Sequence, residues 1–301
     1  MLIDIHTHAY RVKNPFYGFC TLPELLKRNE ELGIDMAVVQ PIVSPEIYIP
    51  QNTEDILDMA RAYPDKIIPF CNVDPRSYFN SPFSPLEEFL AYYKEQGCRG
   101  VGEVMPNMRL DDPKVQNLFR ACEVAGLSVT TDGTGMPDNN FGLYDDPGLP
   151  ATELTLRRFP KLTYFGHGPA FWAEIAKLET PGERCVPYRF NSGQVSPACV
   201  NRGPIKEEGV IAKLCRRYPN LHLDLSDGTA YNALTRDENY TAEFIREFSE
   251  RMYFGTDLCG PTQKVPLIGK LKEWLDRGVI TKTAYNQITH ENAIRQLGLK
   301  L

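Results

Sequence analysis

The chain has 301 residues, a net charge of −6 and eight scattered cysteines with no CxxC pair. This charge argues against a nucleic-acid partner, because phosphate binding needs clustered Lys and Arg. The cysteine pattern indicates reduced thiols rather than a disulfide framework or a zinc ribbon. The first residues lack the features of a signal peptide and no apolar run approaches a membrane span. We therefore expect a cytoplasmic protein without a membrane partner.

Short β-rich runs alternate with amphipathic helical stretches along the whole chain. The predicted strands are 2–6, 36–40, 67–72, 100–103, 127–131, 162–166, 221–225 and 252–255. The predicted helices are 22–32, 53–63, 85–95, 113–125, 151–158, 209–218, 241–250, 267–277 and 282–297. Gly33, Gly97 and Gly126 follow helices as C-terminal stops.

This recurrence is that of a βα unit of about 30 residues repeated around a ring. Eight strands with alternating helices predict an α/β fold of the (β/α)8 TIM-barrel type, as one domain over 1–301. A doubly wound open sheet is the competing fold, and it would favour a glycine-rich first turn that this chain lacks.

The alternation is interrupted between the sixth and seventh predicted strands. The stretch at about 180–207 is rich in Pro, Gly, Arg and Cys, and we expect it to be a loop insertion that acts as a lid or a subunit contact. Its Arg184, Arg189, Arg202 and Tyr188 are candidates for binding a substrate carboxylate, with a solvated loop surface as the plainer interpretation. A second irregular stretch, 136–148, follows the fifth strand.

The first predicted strand runs directly into two histidines, His6 and His8. Residues i and i+2 of a strand point to the same side, so both imidazoles project together from its C-terminal end. Two neutral imidazoles that converge on one point are typical of the start of a divalent metal site. Paired histidines in a strand can also be ordinary hydrogen-bonding residues.

Other polar side chains occur where further strands end. The C-terminal ends of barrel strands converge on one site, so these positions are candidate functional residues. They are Glu103, Asp132, His167, Asp224 or Ser226, and Asp257. Taken singly, each has a structural interpretation: Glu103 as a salt-bridge partner, His167 as a turn residue, Asp257 as a helix cap and Asp224 as a residue that orders the backbone. His222 and His290 are interpreted as packing or structural residues.

Three motifs occur in the order in which a known family carries them. They are Asp4-Ile5-His6-Thr7-His8, Phe165-Gly166-His167-Gly168 and Phe254-Gly255-Thr256-Asp257, and the ending 292–297 is similar too. Over essentially the whole chain, the sequence resembles the amidohydrolase superfamily and, within it, the amidohydrolase-2 group of metal-dependent hydrolases and decarboxylases.

The resemblance implies a ligand set for a divalent metal, most simply zinc, with manganese as an alternative. His6, His8 and Asp257 match the family's metal ligands, Glu103 matches its strand-four ligand, and His167 matches the strand-six histidine that binds a second metal or polarises substrate. Asp132 stands where the family carries a strand-five histidine. We expect one metal held by His6, His8, Glu103 and Asp257, with Asp132 as a further candidate ligand.

These residues predict a hydrolase that attacks an amide, cyclic amide or lactone with a metal-activated water. Asp257 would accept the proton of that water and His167 would hydrogen-bond the substrate carbonyl. Two alternatives stay open: non-oxidative decarboxylation of an aromatic or unsaturated acid, and a metal-free barrel that acts as a binding protein. The expected partner is a small-molecule substrate, and the aromatic content is compatible with a homodimer.

Overall fold

A computed structural model of the chain describes residues 1–16, 18–47, 50–134, 136–137, 141–180, 184 and 203–300. The strands among these residues are β1 Ile3–Thr7, β2 Met36–Val39, β3 Ile67–Pro69, β4 Gly100–Val104, β5 Ser128–Thr134, β6 Leu143–Tyr144, β7 Tyr164–His167, β8 Leu221–Asp224 and β9 Met252–Tyr253. Every pair of neighbouring strands runs parallel.

Helices follow the strands along the described chain. They are α1 Leu22–Leu32, α2 Thr53–Ala62, α3 Leu86–Glu95, α4 Pro113–Ala125, α5 Pro150–Arg158, α6 Pro169–Ala173, α7 Val210–Arg217, α8 Asp227–Thr235, α9 Glu238–Phe248, α10 Pro266–Asp276, α11 Lys282–Asn286 and α12 Asn292–Leu297. A 3-10 turn, Ser249–Arg251, precedes β9, and a π-turn, Gln287–Glu291, joins α11 to α12. No helix in these ranges is long and apolar enough to cross a bilayer.

The strands form two sheets, β1-β2-β3 and β4-β5-β7-β8-β9, whose edges meet at both seams. At one seam, the amide of Cys71 bonds to the carbonyl of Gly100, and the amide of Gly102 bonds back to Cys71. At the other, the amide of Ile5 bonds to the carbonyl of Phe254, as does the amide of His8 to that of Leu258. Eight strands therefore make a ring, which agrees with the predicted TIM barrel and excludes the open doubly wound sheet.

Apolar side chains pack on both faces of this ring, as expected for parallel strands covered by helices. One cluster combines side chains of β1, β2, β3, β7 and β9 with Ala293 and Leu297 of α12, which is the composition of a barrel interior. A larger cluster lies between the strands and the surrounding helices. The interior cluster leaves the C-terminal ends of the strands to polar side chains, and this is where the candidate residues lie.

The eight predicted strands are all present with ends shifted by a few residues, and α1 and α4 have the predicted bounds. Gly33 and Gly126 end these two helices in the left-handed conformation. The sequence reasoning missed α6, α8 and the short strand β6, which lies in the stretch predicted as irregular and pairs with the end of β5. Most of the predicted 180–207 insertion lies outside the described residues.

Candidate metal centre

His6 and His8 lie together at the C-terminal end of β1. Their side chains are 0% and 1% exposed, and their Nε2 atoms are 3.2 Å apart. Between Asp4 and Thr7, β1 contains one residue more than the matching part of β2, so a β-bulge interrupts the alternation where the histidines begin. Bulges re-aim side chains next to functional sites, and here both imidazoles face the same space.

Hydrogen bonds at the outer nitrogens assign the tautomers of the two histidines. Nδ1 of His8 lies 2.9 Å from the carbonyl oxygen of Gln40, which can only accept, so this nitrogen carries a proton. Nδ1 of His6 lies 2.7 Å from Oδ2 of Asp224, which accepts in the same way. In their neutral forms, His6 and His8 therefore direct their Nε2 lone pairs at each other. This arrangement needs a positive charge between the two nitrogens.

Two carboxylates complete the arrangement. Oε2 of Glu103 is 3.5 Å from Nε2 of His6 and 3.3 Å from Nε2 of His8, and Oδ1 of Asp257 is 3.7 Å and 3.3 Å from the same two atoms. Ligand atoms of all four residues lie within 4.8 Å of one another. Zinc bonds of about 2.0–2.2 Å place the corners of a tetrahedron roughly 3.3–3.6 Å apart, so the donor set fits one divalent cation.

A second bulge directs Glu103 to this point. β4 shifts register against β5 between Val101 and Val104. The side chain of Glu103 therefore does not point outward with that of Val101, as strict alternation would require. The side-chain amide of Asn72 donates to the backbone carbonyl of Glu103 at 2.5 Å and fixes the strand end. The carboxylate of Glu103 is 3% exposed.

The backbone around Asp257 is equally constrained. Its amide donates to the carbonyl of His6 at 2.8 Å, and Nε2 of Gln263 donates to its carbonyl at 2.7 Å. Asp257 itself adopts the left-handed conformation, with φ of 51°. Gly255 allows close packing beneath it, because a Cβ there would lie 3.0 Å from Oδ1 of Asp224.

His167, at the end of β7, borders the same cluster. Its Nε2 lies 3.6 Å from Oε1 of Glu103, and its Nδ1 lies 3.0 Å from Oγ of Ser226. That hydroxyl is also 3.2 Å from Nδ1 of His6. Because His6 carries its proton on Nδ1, Ser226 can accept from His6 and donate to His167, which leaves a donor N–H on Nε2 of His167.

Asp132 lies at the edge of the four-residue cluster rather than within it. It is opposite His167 in the β5–β7 register and forms a separate close group with Glu103 and His167. Burial, followed by the charges of Glu103 and Asp257, holds the pKa of Asp132 well above its usual range. A buried carboxyl with a raised pKa therefore lies at the strand-five position.

The buried charges of the cluster strongly perturb one another. Burial alone would lower the pKa of His8, but its hydrogen-bonded neighbours Asp257 and Glu103 raise it to about 9. Burial would raise the pKa of Glu103, but the positive charges of His6 and its neighbours hold it well below its usual range. These carboxylates need a compensating positive charge, which either protonated imidazoles or a cation can supply.

This coupling predicts a pH-dependent stability of the metal-free protein. The pKa of His8 is about 6.5 in the unfolded chain and about 9 in the fold. The stabilisation that protonated His8 gives to the fold is therefore complete below pH 6.5 and is lost as the pH rises to about 9. We expect the free energy of unfolding in chelator to fall by roughly 2–4 kcal/mol over that window. Thermal denaturation from pH 6 to 9.5 measures it, and an equal slope in His8→Gln would contradict it.

Two buried aspartates have contacts that the sequence did not predict. Asp224 accepts from the amide of Ser226 at 2.9 Å, as expected of a backbone-ordering residue, but it also contacts His6. Asp4 accepts from Oγ1 of Thr256 at 2.6 Å and ties β1 to the segment that carries Asp257. The position of Asp224 at a strand end was a usable signal, whereas nothing in the sequence pattern pairs Asp4 with Thr256.

The remaining histidines lie away from the cluster. Nδ1 of His222 is 2.8 Å from the hydroxyl of Tyr253, and the two rings stack. Nδ1 of His290 is 2.9 Å from Oγ1 of Thr289 in the π-turn. Both contacts agree with the packing and structural roles predicted for these residues.

The loop residues proposed for substrate binding are only partly described. Arg184 is 1% exposed, and its Nη1 lies 3.4 Å from Oε1 of Glu174. Arg189, Arg202 and Tyr188 lie outside the described residues. None of its three guanidinium nitrogens has a hydrogen-bond partner, so the binding of a substrate carboxylate by Arg184 stays a prediction.

The candidate centre opens into a cavity of about 430 Å³. This is within the usual range of small-molecule sites, roughly 300–1,000 Å³. His8, Glu103, Asp132, His167 and Asp257 form its polar floor. The cavity therefore has the size and position of a substrate site directly above the cluster.

Several solved structures are similar to this chain over its whole length. An uncharacterised TIM-barrel protein from Bordetella bronchiseptica is 20% identical, with a TM-score of 0.60 over 99% of both chains. 5-Carboxyvanillate decarboxylase from Sphingomonas paucimobilis is 14% identical, with a TM-score of 0.59 over 99% of both chains. An amidohydrolase from Burkholderia multivorans with bound zinc is 13% identical, with a TM-score of 0.60 over 100% of both chains.

This chain has their TIM-barrel fold. No protein-family model matches the sequence, and no curated protein matches it. At identities of 20% and below, the similarity establishes the fold. The similar structures include hydrolases and decarboxylases, so the reaction has to be argued from the residues at the mouth of this barrel.

Proposed function

We propose that the chain is a member of the amidohydrolase-2 group that hydrolyses an amide, a cyclic amide or a lactone with the help of one divalent cation, most simply zinc. The observation that carries the proposal is the convergence of two Nε2 lone pairs and two carboxylates at the barrel mouth. The similar amidohydrolase from Burkholderia multivorans binds zinc, which supports this choice of metal.

In this proposal, His6, His8, Glu103 and Asp257 hold the cation. When bound, the ion supplies Lewis-acid activation of water and of the substrate carbonyl. The Oδ atoms of Asp257 accept the proton of the attacking water and later return it to the leaving nitrogen or oxygen. The Nε2–H of His167 donates to the carbonyl oxygen as negative charge builds there.

Asp224 would act as the positioning residue of His6. A carboxylate on the distal nitrogen of a ligating histidine fixes its tautomer and raises its basicity. We expect Asp224→Asn to weaken zinc affinity about 10–100-fold, as such partners typically do, while the fold persists. Competition with a fluorescent chelator measures the affinity.

Asp145→Asn is the matched control for this variant, since Asp145 is another buried carboxylate but caps α5. Equal zinc affinities in wild type and Asp224→Asn would contradict the positioning role of Asp224.

A decarboxylase is the second candidate. Two of the similar structures are named 5-carboxyvanillate decarboxylase and 2,6-dihydroxybenzoate decarboxylase, and the same donor set serves both reactions. Product analysis separates them, because hydrolysis of an amide or lactone releases an acid, whereas decarboxylation of an aromatic acid releases carbon dioxide.

The deciding experiment is metal content together with a substrate screen. Purified protein and His6→Ala are assayed for zinc and manganese, and the metal-loaded protein is tested on amides, lactones and aromatic acids. About one metal ion per chain and turnover of an amide or lactone support the proposal. Bound metal with carbon dioxide release would favour the decarboxylase, and no metal in either protein would favour the metal-free binding barrel.

A further inference from the structure

The hydroxyl of Ser226 lies between the rings of two histidines. Its Oγ is 3.2 Å from Nδ1 of His6 and 3.0 Å from Nδ1 of His167, and the centroids of the two rings are 4.6 Å apart. All three residues are buried. One hydroxyl, shielded from solvent, thus connects a proposed metal ligand with the histidine proposed to polarise the substrate carbonyl.

Ser226 does not use this hydroxyl as a serine at its position in a helix usually does. It is the N-cap residue of α8, where a serine side chain typically accepts from a backbone amide of the first turn. The side chain of Ser226 makes no such bond. Its backbone amide donates to Oδ1 of Asp224 at 2.9 Å, which holds the residue just after β8 with its hydroxyl at the two rings.

The contacts of the hydroxyl decide where its proton points. Nδ1 of His6 carries a proton, because Oδ2 of Asp224 accepts from it at 2.7 Å, so it cannot accept from Ser226. Nδ1 of His167 is the other described hydrogen-bond contact of the hydroxyl. The O–H of Ser226 therefore donates to this nitrogen, and the single proton of the neutral ring of His167 lies on Nε2.

We propose that Ser226 is a positioning residue that decides which role His167 has. The resemblance leaves two roles for this histidine, ligand of a second metal or polariser of the substrate carbonyl. An Nε2 that carries a proton has no lone pair for a metal, but it can donate to a carbonyl oxygen. Nε2 of His167 lies 3.6 Å from Oε1 of Glu103, and both residues line the cavity, so this donor faces the candidate metal centre.

Loss of the hydroxyl should reverse the tautomer of His167. Oδ2 of Asp224 lies 3.6 Å from Nδ1 of His167, and a carboxylate can only accept. Once the competing O–H is removed, this oxygen favours a proton on Nδ1. In Ser226→Ala we therefore expect the proton of His167 on Nδ1 and a lone pair on Nε2, which ends its use as a donor to substrate.

Nitrogen-15 NMR of the zinc-loaded protein, labelled in its histidine rings, measures the tautomer. The chain has five histidines, and the spectrum of His167→Gln identifies the signals of His167. At mildly alkaline pH, we expect a protonated Nε2 and an unprotonated Nδ1 in the wild type, and the reverse in Ser226→Ala. A wild-type ring with its proton on Nδ1 would overturn the inference, even if the variant did not fold, and so would an unchanged tautomer in folded Ser226→Ala.

Ser128→Ala is the matched control for this variant. Ser128 is another buried serine, and its Oγ has no hydrogen-bond partner in the described structure. Its removal should leave His167 in the wild-type tautomer. A reversal in both variants would make the change a general effect of core substitution and would overturn the role of Ser226.

Kinetics test the effect of the tautomer on turnover, a step that rests on the hydrolase function above. A donor that acts as charge builds on the carbonyl oxygen stabilises the transition state more than the bound substrate, so its loss lowers kcat and leaves KM nearly unchanged. With the amide or lactone found in the substrate screen, we expect kcat of zinc-loaded Ser226→Ala to fall about 10–100-fold, the usual range for the partner of a site residue.

The two measurements separate this inference from the proposed reaction. A reversed tautomer with wild-type kcat would overturn the positioning role of Ser226 and leave the hydrolase intact. Absence of turnover for every amide and lactone would refute the hydrolase, while a protonated Nε2 in the wild type that moves to Nδ1 in Ser226→Ala would still support the inference.

Discussion

Replacing His6 and His8 together by alanine should remove both the metal and the activity. Each ring supplies one Nε2 lone pair to the cluster, and the two remaining carboxylates, Glu103 and Asp257, cannot hold a borderline-soft ion such as zinc with the same geometry. We expect elemental analysis to give about one zinc ion per chain in the wild type and close to none in the double variant. Hydrolysis should fall by at least about 10³-fold, because Lewis-acid activation is worth several kcal/mol.

The control for this double variant is a histidine outside the cluster. His290→Ala removes an imidazole of the π-turn, whose contact is Oγ1 of Thr289, and should retain zinc and turnover. Circular dichroism tests whether the double variant is folded, because His6 and His8 are buried and their removal leaves empty space in the core. A folded double variant that keeps zinc would show that another group of side chains holds the metal.

Much of the barrel was predictable from local patterns. Helix α4 begins at Pro113 after Asp112, whose carboxylate caps the amide of Lys114, and it ends at Gly126. These start and stop signals depend only on neighbouring residues, which is why its bounds could be predicted. Helices α6 and α8 were missed because each begins within three residues of the end of the preceding strand, β7 or β8, without the longer loop that separates strand and helix in the other units.

The residues of the four-residue cluster could be predicted from the sequence, but their geometry could not. Strand ends selected His6, His8, Glu103 and Asp257, yet strict alternation would direct Glu103 to the side of Val101, which lies in the outer core. Bulges in β1 and β4 bring the donors inward, and these bulges depend on pairing with neighbouring strands rather than on local sequence. The role of Asp224 depends on a contact across 218 residues of chain, which a single sequence does not reveal.

Asp132 stands where the resemblance to the amidohydrolase-2 group predicts a histidine. A histidine at this strand end would offer a neutral nitrogen, whereas Asp132 adds a buried carboxyl beside Glu103. Burial and the charges of Glu103 and Asp257 raise its pKa in the metal-free protein. Asp132 also forms a second group of ligand atoms with Glu103 and His167, so the number of zinc ions per chain decides between one cation in the four-residue cluster and a second ion shared with Asp132.

Asp257→Asn should separate metal binding from proton transfer. The amide keeps an oxygen close to Nε2 of His8, where Oδ1 of Asp257 now lies at 3.3 Å, but it cannot accept a proton at neutral pH. We expect the variant to retain zinc with reduced affinity and to lose about 10²–10⁴-fold in kcat, the range for removal of a general base. Stopped-flow assays at a saturating concentration of the amide or lactone found in the substrate screen, with zinc content determined on the same sample, measure both quantities.

The matched comparison for this variant is Asp227→Asn. Asp227 lines the same cavity but is not in the four-residue cluster, so its removal tests the loss of a nearby negative charge alone. Its effect on kcat should be much smaller than that of Asp257→Asn. Wild-type kcat in a fully zinc-loaded Asp257→Asn would assign the proton to another group, whereas parallel loss of zinc and kcat would limit Asp257 to a ligand. Only retained zinc with a slow chemical step makes this carboxylate the proton acceptor, because in that case the cation is present and the base is the one group removed.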